Sequence, residues 1–388
     1  MGARIQGRAG LFTLEDSLDE LEQLARTAGI IVVGRETQRL DAVNPSTFIG
    51  SGKVGEIKAL QSELGSQLVI FDDELSPAQL RNLEKALETR ILDRTALILD
   101  IFAMHARTRE GALQVELAQY AYRLPRLTRQ WTHLSRQGVG GVGLRGPGET
   151  QLESDRREIG RRMAQVRAEL EEVSRYRGLQ RRRRRRAGLP VVAIVGYTNA
   201  GKSTLLNRLT NADVLVENML FATLDPTTRR MSLPSGKEVL FTDTVGFIQK
   251  LPTQLVAAFH ATLEEVHEAD ILLHVVDVTD RNVLQEIAAV NEVLHEIEAD
   301  DKPMIVALNK VDLLDDPEAV LAHPSDGQRG FAMRQNPLEE LLDTYAHVIP
   351  ISAAQGVGID DLQAAIEEVL VEQMVELEIV VPYQSGEL

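Results

Sequence analysis

Cysteine is absent from this chain of 388 residues, and tryptophan occurs once. Without cysteine there is no disulfide framework, no thiolate metal site and no cysteine nucleophile. Long apolar runs are also lacking: the longest, residues 271–276, is interrupted by His274 and is too short to span a membrane. Because no signal pattern opens the chain, we expect a cytoplasmic protein whose membrane contact is at most peripheral.

Positive charge is scarce overall, with 42 Lys and Arg against 58 Asp and Glu and a net charge of −16. This balance argues against a DNA-binding protein. Residues 107–186 are the exception, since they carry twenty arginines, no lysine and nine acidic residues. A basic segment in an acidic protein indicates local binding to a phosphate backbone, for which the forked guanidinium is well suited.

A phosphate-binding P-loop is the most informative motif. The apolar run 191–195 predicts a buried strand, residues 205–209 predict the start of a helix, and the segment between them fits G-x-x-x-x-G-K-[ST]. Backbone N–H groups and the helix N-terminus favour phosphate there, Lys202 would reach the β- and γ-phosphates, and Ser203 would hold Mg²⁺. The nucleotide-binding residues predicted here are Gly196, Tyr197, Thr198, Asn199, Ala200, Gly201, Lys202, Ser203 and Thr204.

The base is indicated by a second motif, Asn309-Lys310-Val311-Asp312, which follows the apolar run 304–308. Ligands bind at the carboxyl ends of strands in open α/β sheets. The Asp312 carboxylate can accept from guanine N1–H and N2–H₂, whereas adenine offers neither donor. After a further predicted strand, Ser352, Ala353 and Ala354 would contact guanine mainly through backbone N–H groups. The cofactors predicted are therefore GTP or GDP.

Two more segments would surround the γ-phosphate and Mg²⁺. Asp243-Thr244-Val245-Gly246 ends a predicted strand; Asp243 would bind Mg²⁺ through water, and the Gly246 N–H would meet the γ-phosphate. A threonine between the P-loop and Asp243 would bind Mg²⁺ only while the γ-phosphate is present, which makes that segment a switch. Spacing alone leaves Thr223, Thr227 and Thr228 open. The switch segment comprises Phe221, Ala222, Thr223, Leu224 and Asp225, followed by residues 226–229.

Together these motifs resemble the translation-factor-class GTPases, and residues 221–227 resemble the HflX family in particular. The glycine-rich stretch 140–153 also resembles that family's signature, so the likeness covers about residues 20–388. The resemblance implies that Thr223 is the Mg²⁺ threonine, with Lys202, Thr223 and Gly246 as catalytic residues. It also implies a large-ribosomal-subunit partner and a role in ribosome dissociation or rescue under stress.

The N-terminal region alternates predicted strands and helices, which indicates a small α/β domain at residues 1–105. We predict strands at 29–33 and 68–71, helices at 52–64 and 76–87 with Ser76 as N-cap, and a strand or helix entry at 95–102. Residues 1–20 show no periodicity. Gly50-Ser51-Gly52-Lys53 is half a P-loop without the preceding strand, so ATP use there is only an alternative.

Residues 106–188 predict a basic helical hairpin. A helix at 104–127 is followed by the glycine-rich loop 138–148 and by an amphipathic helix at 149–180, whose apolar stripe should pack against the first helix. The loop is either a linker or an element that orders on RNA. The six arginines 181–186 are either a solvated linker or an RNA contact, and we favour RNA because unpaired like charges repel.

Residues 189–370 predict a Ras-like P-loop GTPase domain with a mostly parallel sheet. A turn at 234–237 joins residues 229–233 to 238–242 as one antiparallel hairpin, His274 is a packed core histidine, and 315–337 is a surface loop. Residues 371–388, with a predicted strand at 376–383, would begin a C-terminal domain that is truncated or absent. The fold class is thus α/β, with a small α/β domain and a long helical hairpin before the GTPase domain.

The predicted function is a GTP-hydrolysing, Mg²⁺-dependent switch that acts as a monomer and docks on RNA through its basic segment. Phe247 stands where Ras-like GTPases carry a water-orienting glutamine, so we expect slow intrinsic hydrolysis, with the missing group supplied by a partner or with Phe247 held aside. One alternative is an RNA remodeller driven by ATP at the N-terminal domain. Another is a regulatory switch that binds an acidic protein or a membrane surface through its arginines.

Overall fold

The computed structural model describes residues 1–7, 10–127, 147–186, 188–210, 219–250, 260–314, 341 and 344–372. The strands are β1 (Gly2–Ile5), β2 (Thr37–Leu40), β3 (Leu68–Phe71), β4 (Arg90–Asp93), β5 (Val191–Val195), β6 (Thr227–Ser232), β7 (Glu238–Asp243), β8 (Ile271–Asp277), β9 (Met304–Asn309) and β10 (His347–Pro350). The helices are α1 (Leu14–Thr27), α2 (Ser51–Leu64), α3 (Pro77–Leu87), α4 (Arg94–His105), α5 (Arg109–Arg123), α6 (Pro147–Arg186), α7 (Lys202–Thr210), α8 (His260–His267), α9 (Val283–Glu296) and α10 (Ile359–Glu372).

A six-stranded sheet forms the C-terminal half, in the order β10-β9-β8-β5-β7-β6. Every neighbouring pair is parallel except β6 and β7, which form the predicted antiparallel hairpin. The inner strands are buried on both faces, as expected where helices cover a parallel sheet. This arrangement confirms the predicted fold class and brings the carboxyl ends of β5, β7, β8 and β9 to one edge.

The N-terminal region contains two parallel strand pairs, β1 with β2 and β3 with β4. The prediction for α3 was close, since Ser76 caps it in a capping box with Gln79. The predicted strand at 29–33 was wrong. The strand lies later, at Thr37–Leu40, because β1 pairs with those residues, and Ile31 is 86% exposed. The first twenty residues are also more ordered than expected, since α1 begins behind its own capping box at Thr13.

The basic segment forms two antiparallel helices. The single helix predicted at 104–127 is in fact broken: α4 ends at His105 and α5 begins after its N-cap Thr108. Arg162 and Glu116 pair at 2.7 Å and Arg109 and Glu169 at 3.0 Å, so α5 and α6 run in opposite directions. The backbone of α6 continues through the six arginines to Arg186. Most of the glycine-rich loop lies outside the described residues.

The two halves share a hydrophobic core, which joins α1 and α4 to α9 and to the switch segment. The bounds of the four predicted domains stay predictions. The predicted surface loop at 315–337 and most of the tail after residue 371 lie outside the described residues. In the part of the chain that is described, no helix combines the length and apolar character needed to cross a bilayer.

His274 lies in the middle of β8 and is 1% exposed, as predicted for a core histidine. Burial lowers the pKa of its imidazole from 6.5 to about 3. Between these values the unfolded chain binds a proton that the folded chain does not, so this histidine costs stability as the pH falls below 6.5.

Replacing His274→Val should make the free energy of unfolding fall less steeply as the pH drops below 6.5. Between pH 6.5 and 5 the wild-type protein should lose about 2 kcal/mol more than the variant, as measured by urea unfolding. His295→Gln is the control, because His295 is exposed and pairs with Asp300. Equal losses in wild type and His274→Val would contradict the prediction.

Candidate functional site

The P-loop occupies the predicted turn between β5 and α7. Gly196 has a φ of +148°, and a Cβ there would overlap the carbonyl oxygen of Val275 on the neighbouring strand β8. Only glycine adopts this positive φ readily and also leaves room for the Val275 carbonyl. The loop therefore passes close over the sheet edge, with its backbone turned toward the place where phosphates would lie.

Lys202 starts α7 and is buried. Its Nζ donates to the carbonyl oxygens of Gly196 at 3.1 Å and Tyr197 at 2.6 Å. Burial lowers the pKa of the Lys202 ammonium to about 8, while the nearby Asp243 carboxylate opposes that shift. A phosphate oxygen would replace these carbonyl partners with a fully charged one.

The three predicted Mg²⁺ ligands lie together. Ser203 Oγ is 2.7 Å from Asp243 Oδ2 and 2.8 Å from Thr223 Oγ1, and Thr223 Oγ1 is 3.2 Å from the same Asp243 oxygen. Burial raises the pKa of Asp243 against the opposing effect of Lys202, and its Oδ1 is buried with no hydrogen-bond partner among the described residues. Hard oxygen donors with an unsatisfied carboxylate fit Mg²⁺.

Of the three threonines left open by spacing, Thr223 is the one brought to this cluster. Thr227 and Thr228 instead begin β6, where they pair with β7. Thr228 Oγ1 lies 3.0 Å from Thr242 Oγ1 on that neighbouring strand. Thr227 and Thr228 are therefore held in the β6–β7 strand pair, whereas Thr223 contacts Ser203 and Asp243.

The guanine motif is tied to the P-loop by Asn309. Its Nδ2 donates to the Ala200 carbonyl at 2.8 Å, and its Oδ1 accepts from Ala353 N at 2.9 Å. Lys310 has a φ of +69° and starts a 3-10 turn that leaves Asp312 exposed. The motif residues Asn309, Lys310, Val311 and Asp312 thus meet Ser352, Ala353 and Ala354 at one place. Sequence reasoning missed Arg208, whose guanidinium donates to the carbonyls of Ala353 and Ala354.

Gly246 and Phe247 lie against the P-loop. A Cβ at Gly246 would come within 2.8 Å of Thr198 Cα and 3.0 Å of Lys202 Nζ. The Phe247 carbonyl accepts from Thr198 N at 2.8 Å, and its own N–H donates to Gly196 O at 3.1 Å. The Phe247 side chain is 2% exposed and joins the shared core. The side chain therefore points into the core. This is the arrangement in which Phe247 is held aside, one of the two possibilities that the sequence left open.

The remaining switch residues face the N-terminal half. Phe221 packs edge-on against Phe102 with ring centroids 4.7 Å apart, and Leu224 is buried in the same core. The Asp225 carboxylate bonds to the start of α5. Met219, Ala222, Thr244 and Thr204 line the pocket beside Lys202 and Ser203.

A buried polar chain that motif analysis missed links the P-loop to the N-terminal half. The Tyr197 hydroxyl bonds to Glu20, which pairs with the fully buried Arg94, and Arg94 pairs with Asp72 at 2.7 Å. Lys250 closes the chain at 2.6 Å from Asp72. No local pattern signals these contacts, because their partners are far apart in sequence.

The half P-loop at 50–53 is built differently. Gly50 is the N-cap of α2, and Lys53 pairs with Glu36 at 2.8 Å and Glu56 at 2.6 Å. Two carboxylates around the lysine disfavour a phosphate at this place.

Comparisons with known proteins cover nearly the whole chain. Three family models match: GTP-binding GTPase N-terminal at residues 15–103, GTP-binding GTPase middle region at 105–184, and 50S ribosome-binding GTPase at 191–310. GTPase HflX of Caldanaerobacter subterraneus is 50% identical over 371 residues, covering 96% of this chain and 81% of the relative. GTPase HflX of Escherichia coli K12 is 45% identical over 373 residues, covering 96% and 83%. A crystal structure of a GTP-binding protein from Sulfolobus solfataricus in complex with GDP matches with 25% identity and a TM-score of 0.47, covering 96% of this chain and 99% of that one.

Proposed function

The chain belongs to the HflX family of GTP-hydrolysing proteins, and from this membership we propose that it is a switch that docks on the RNA of the large ribosomal subunit. Its action would be ribosome dissociation or rescue under stress. It would work as a monomer within the cytoplasm, with GTP or GDP and Mg²⁺ as cofactors. The proposed units are 1–105, the basic hairpin 106–188, the GTPase domain 189–370, and 371–388.

In this proposal each part of the site has one task. Asp312 and the backbone of 352–354 hold guanine, and the P-loop amides with Lys202 hold the phosphates. Ser203, Thr223 and, through water, Asp243 hold Mg²⁺, which when bound would neutralise charge on the phosphate oxygens. Gly246 lets the backbone approach the γ-phosphate. Since Phe247 has no polar group to orient the attacking water, and its side chain is buried in the core, hydrolysis is slow until a partner supplies that group.

The observation that carries the ribosomal half of the proposal is the set of exposed arginines on α6. Met163 and Val166 are buried, whereas the same helix exposes Arg156, Arg157, Arg161, Arg167 and Arg175. The helix backbone continues through Arg181–Arg186. The exposed guanidinium groups along this helix supply the positive charge that attracts a phosphate backbone.

The test is GTP hydrolysis with and without purified large ribosomal subunits. The six arginines 181–186 are replaced by glutamine, which keeps helix propensity, or by lysine, which keeps charge. Strong stimulation that falls in the glutamine variant supports the proposal, and Arg81→Gln with Arg90→Gln on the N-terminal half is the control. Normal GTP binding without stimulation by subunits would overturn it.

A further inference from the structure

The switch segment is bonded directly to the start of the basic hairpin. Asp225 Oδ2 accepts from the backbone N–H groups of Arg107 and Thr108, each at 2.9 Å, and Oδ1 accepts from the Thr108 hydroxyl. Thr108 is itself the N-cap of α5, with its Oγ1 3.0 Å from Gly111 N. The carboxylate therefore sits on the positive end of α5, where a negative charge is stabilised.

Gly111 shows how closely this contact is fitted. A Cβ at this position would overlap Asp225 Oδ1 and lie 3.3 Å from Thr108 Oγ1. Glycine is unfavourable in the first turns of a helix on conformational grounds. Its place here is explained by the approach of the Asp225 carboxylate, which any side chain at 111 would displace.

The same segment reaches the Mg²⁺ cluster within two residues. Thr223 contacts Ser203 and Asp243, and Asp225 contacts α5. Two residues of chain span at most about 7 Å, so a displacement of Thr223 is not absorbed before it reaches Asp225. On the other side Phe221 packs on Phe102 of α4, the helix that precedes the hairpin. The segment is thus attached to the α4–α5 corner by two contacts.

We infer that Asp225 is a positioning residue that transmits the state of the nucleotide to the hairpin. When Thr223 moves to ligate the metal ion beside a γ-phosphate, Asp225 carries the N-terminus of α5 with it, and α6 follows because it is ion-paired to α5. When the γ-phosphate is gone, Thr223 and the corner relax together. The inference rests on the proposed function, in which α5 and α6 are the docking element.

The experiment measures the distance between hairpin and GTPase domain without any ribosome. Because the chain has no cysteine, Ala168→Cys on α6 and Asp301→Cys before β9, both exposed, give unique sites for a pair of spin labels. The protein is measured with GDP and with a non-hydrolysable GTP analogue, each with Mg²⁺. The expected result is a distance that differs between the two nucleotides.

Three variants of the spin-labelled protein test whether Asp225 transmits the nucleotide state to the hairpin. Gly111→Ala pushes the carboxylate away, Asp225→Ala removes it without adding atoms, and Gly160→Ala on α6 adds a methyl where no atom lies within 4 Å. The nucleotide-dependent shift should be lost in the first two and kept in the third. A full shift in either of the first two variants, or no shift in the unsubstituted protein, overturns the inference. Since no ribosome is present, failure here is separate from failure of ribosome-stimulated hydrolysis.

Discussion

Replacing Asp312→Asn should lower the affinity for GTP by about 10⁴-fold, because the carboxylate that accepts from guanine N1–H and N2–H₂ becomes an amide with only one acceptor oxygen. In the structure Asp312 is exposed in the middle of the turn Val311–Leu313, which follows Lys310 and the anchored Asn309. The substitution therefore leaves the site's frame intact and changes only what it can accept. Xanthine nucleotides, which carry an oxygen at C2, should bind the variant better than they bind the wild type.

Competition binding with GTP, xanthosine triphosphate and ATP measures this change. Asp301→Asn is the matched control, since Asp301 is exposed at the opposite end of β9. GTP affinity within tenfold of the wild type in Asp312→Asn would mean that guanine is read elsewhere, for example by the backbone at 352–354 alone.

The parts of the fold that followed from the sequence are those governed by local chemistry. Ser76 followed by Pro77 and Gln79 is a complete helix start, and α3 begins where that pattern places it. The turn at 234–237 likewise produced the β6–β7 hairpin. Apolar runs before the P-loop and before Asn309 became buried parallel strands, because a strand covered on both faces needs apolar side chains on both.

What failed depended on a pairing partner distant in the chain. Residues 29–33 have the composition of a strand, but β1 lies beside Thr37–Leu40, so the apolar Ile31 and Val33 stay exposed. The helix predicted at 104–127 is broken at residues 106–108. There the backbone N–H groups of Arg107 and Thr108 donate to the carboxylate of Asp225, which lies more than a hundred residues later in the chain. Such long-range contacts have no local sequence signature.

The residues of the candidate site likewise fall into those that local motifs predict and those that depend on long-range contacts. Residue type and spacing brought Ser203, Asp243 and Asn309 to one sheet edge, and the structure adds Thr223 to that cluster while Thr227 and Thr228 pair in β6. The supports beneath the site, Arg208 under the guanine loop and Glu20 under Tyr197, are single charged residues on helices. Sequence patterns cannot separate such residues from ordinary surface charges.

Replacing Lys202→Met should separate stability from activity. Among the described residues the buried ammonium donates to loop carbonyls, so removing it relieves a desolvation cost. The buried Asp243 carboxylate loses a compensating charge at the same time, so the two effects oppose each other and the nucleotide-free variant should melt close to the wild-type temperature. GTP hydrolysis should nevertheless fall by about 10²–10³-fold, because the positive charge that stabilises the transferring phosphoryl group is gone.

Thermal melting of the nucleotide-free protein and single-turnover hydrolysis measure the two effects. Lys302→Met is the matched control, since Lys302 also donates to a backbone carbonyl, that of Ala269 at 2.8 Å, but lies before β9 at the edge of the sheet away from the P-loop. Its hydrolysis should match the wild type. A Lys202→Met variant that hydrolyses GTP at the wild-type rate would show that phosphate charge is stabilised by other groups. A variant that no longer folds would contradict the expected stability. A folded variant that has lost hydrolysis is the result expected if the positive charge of Lys202 serves the phosphate.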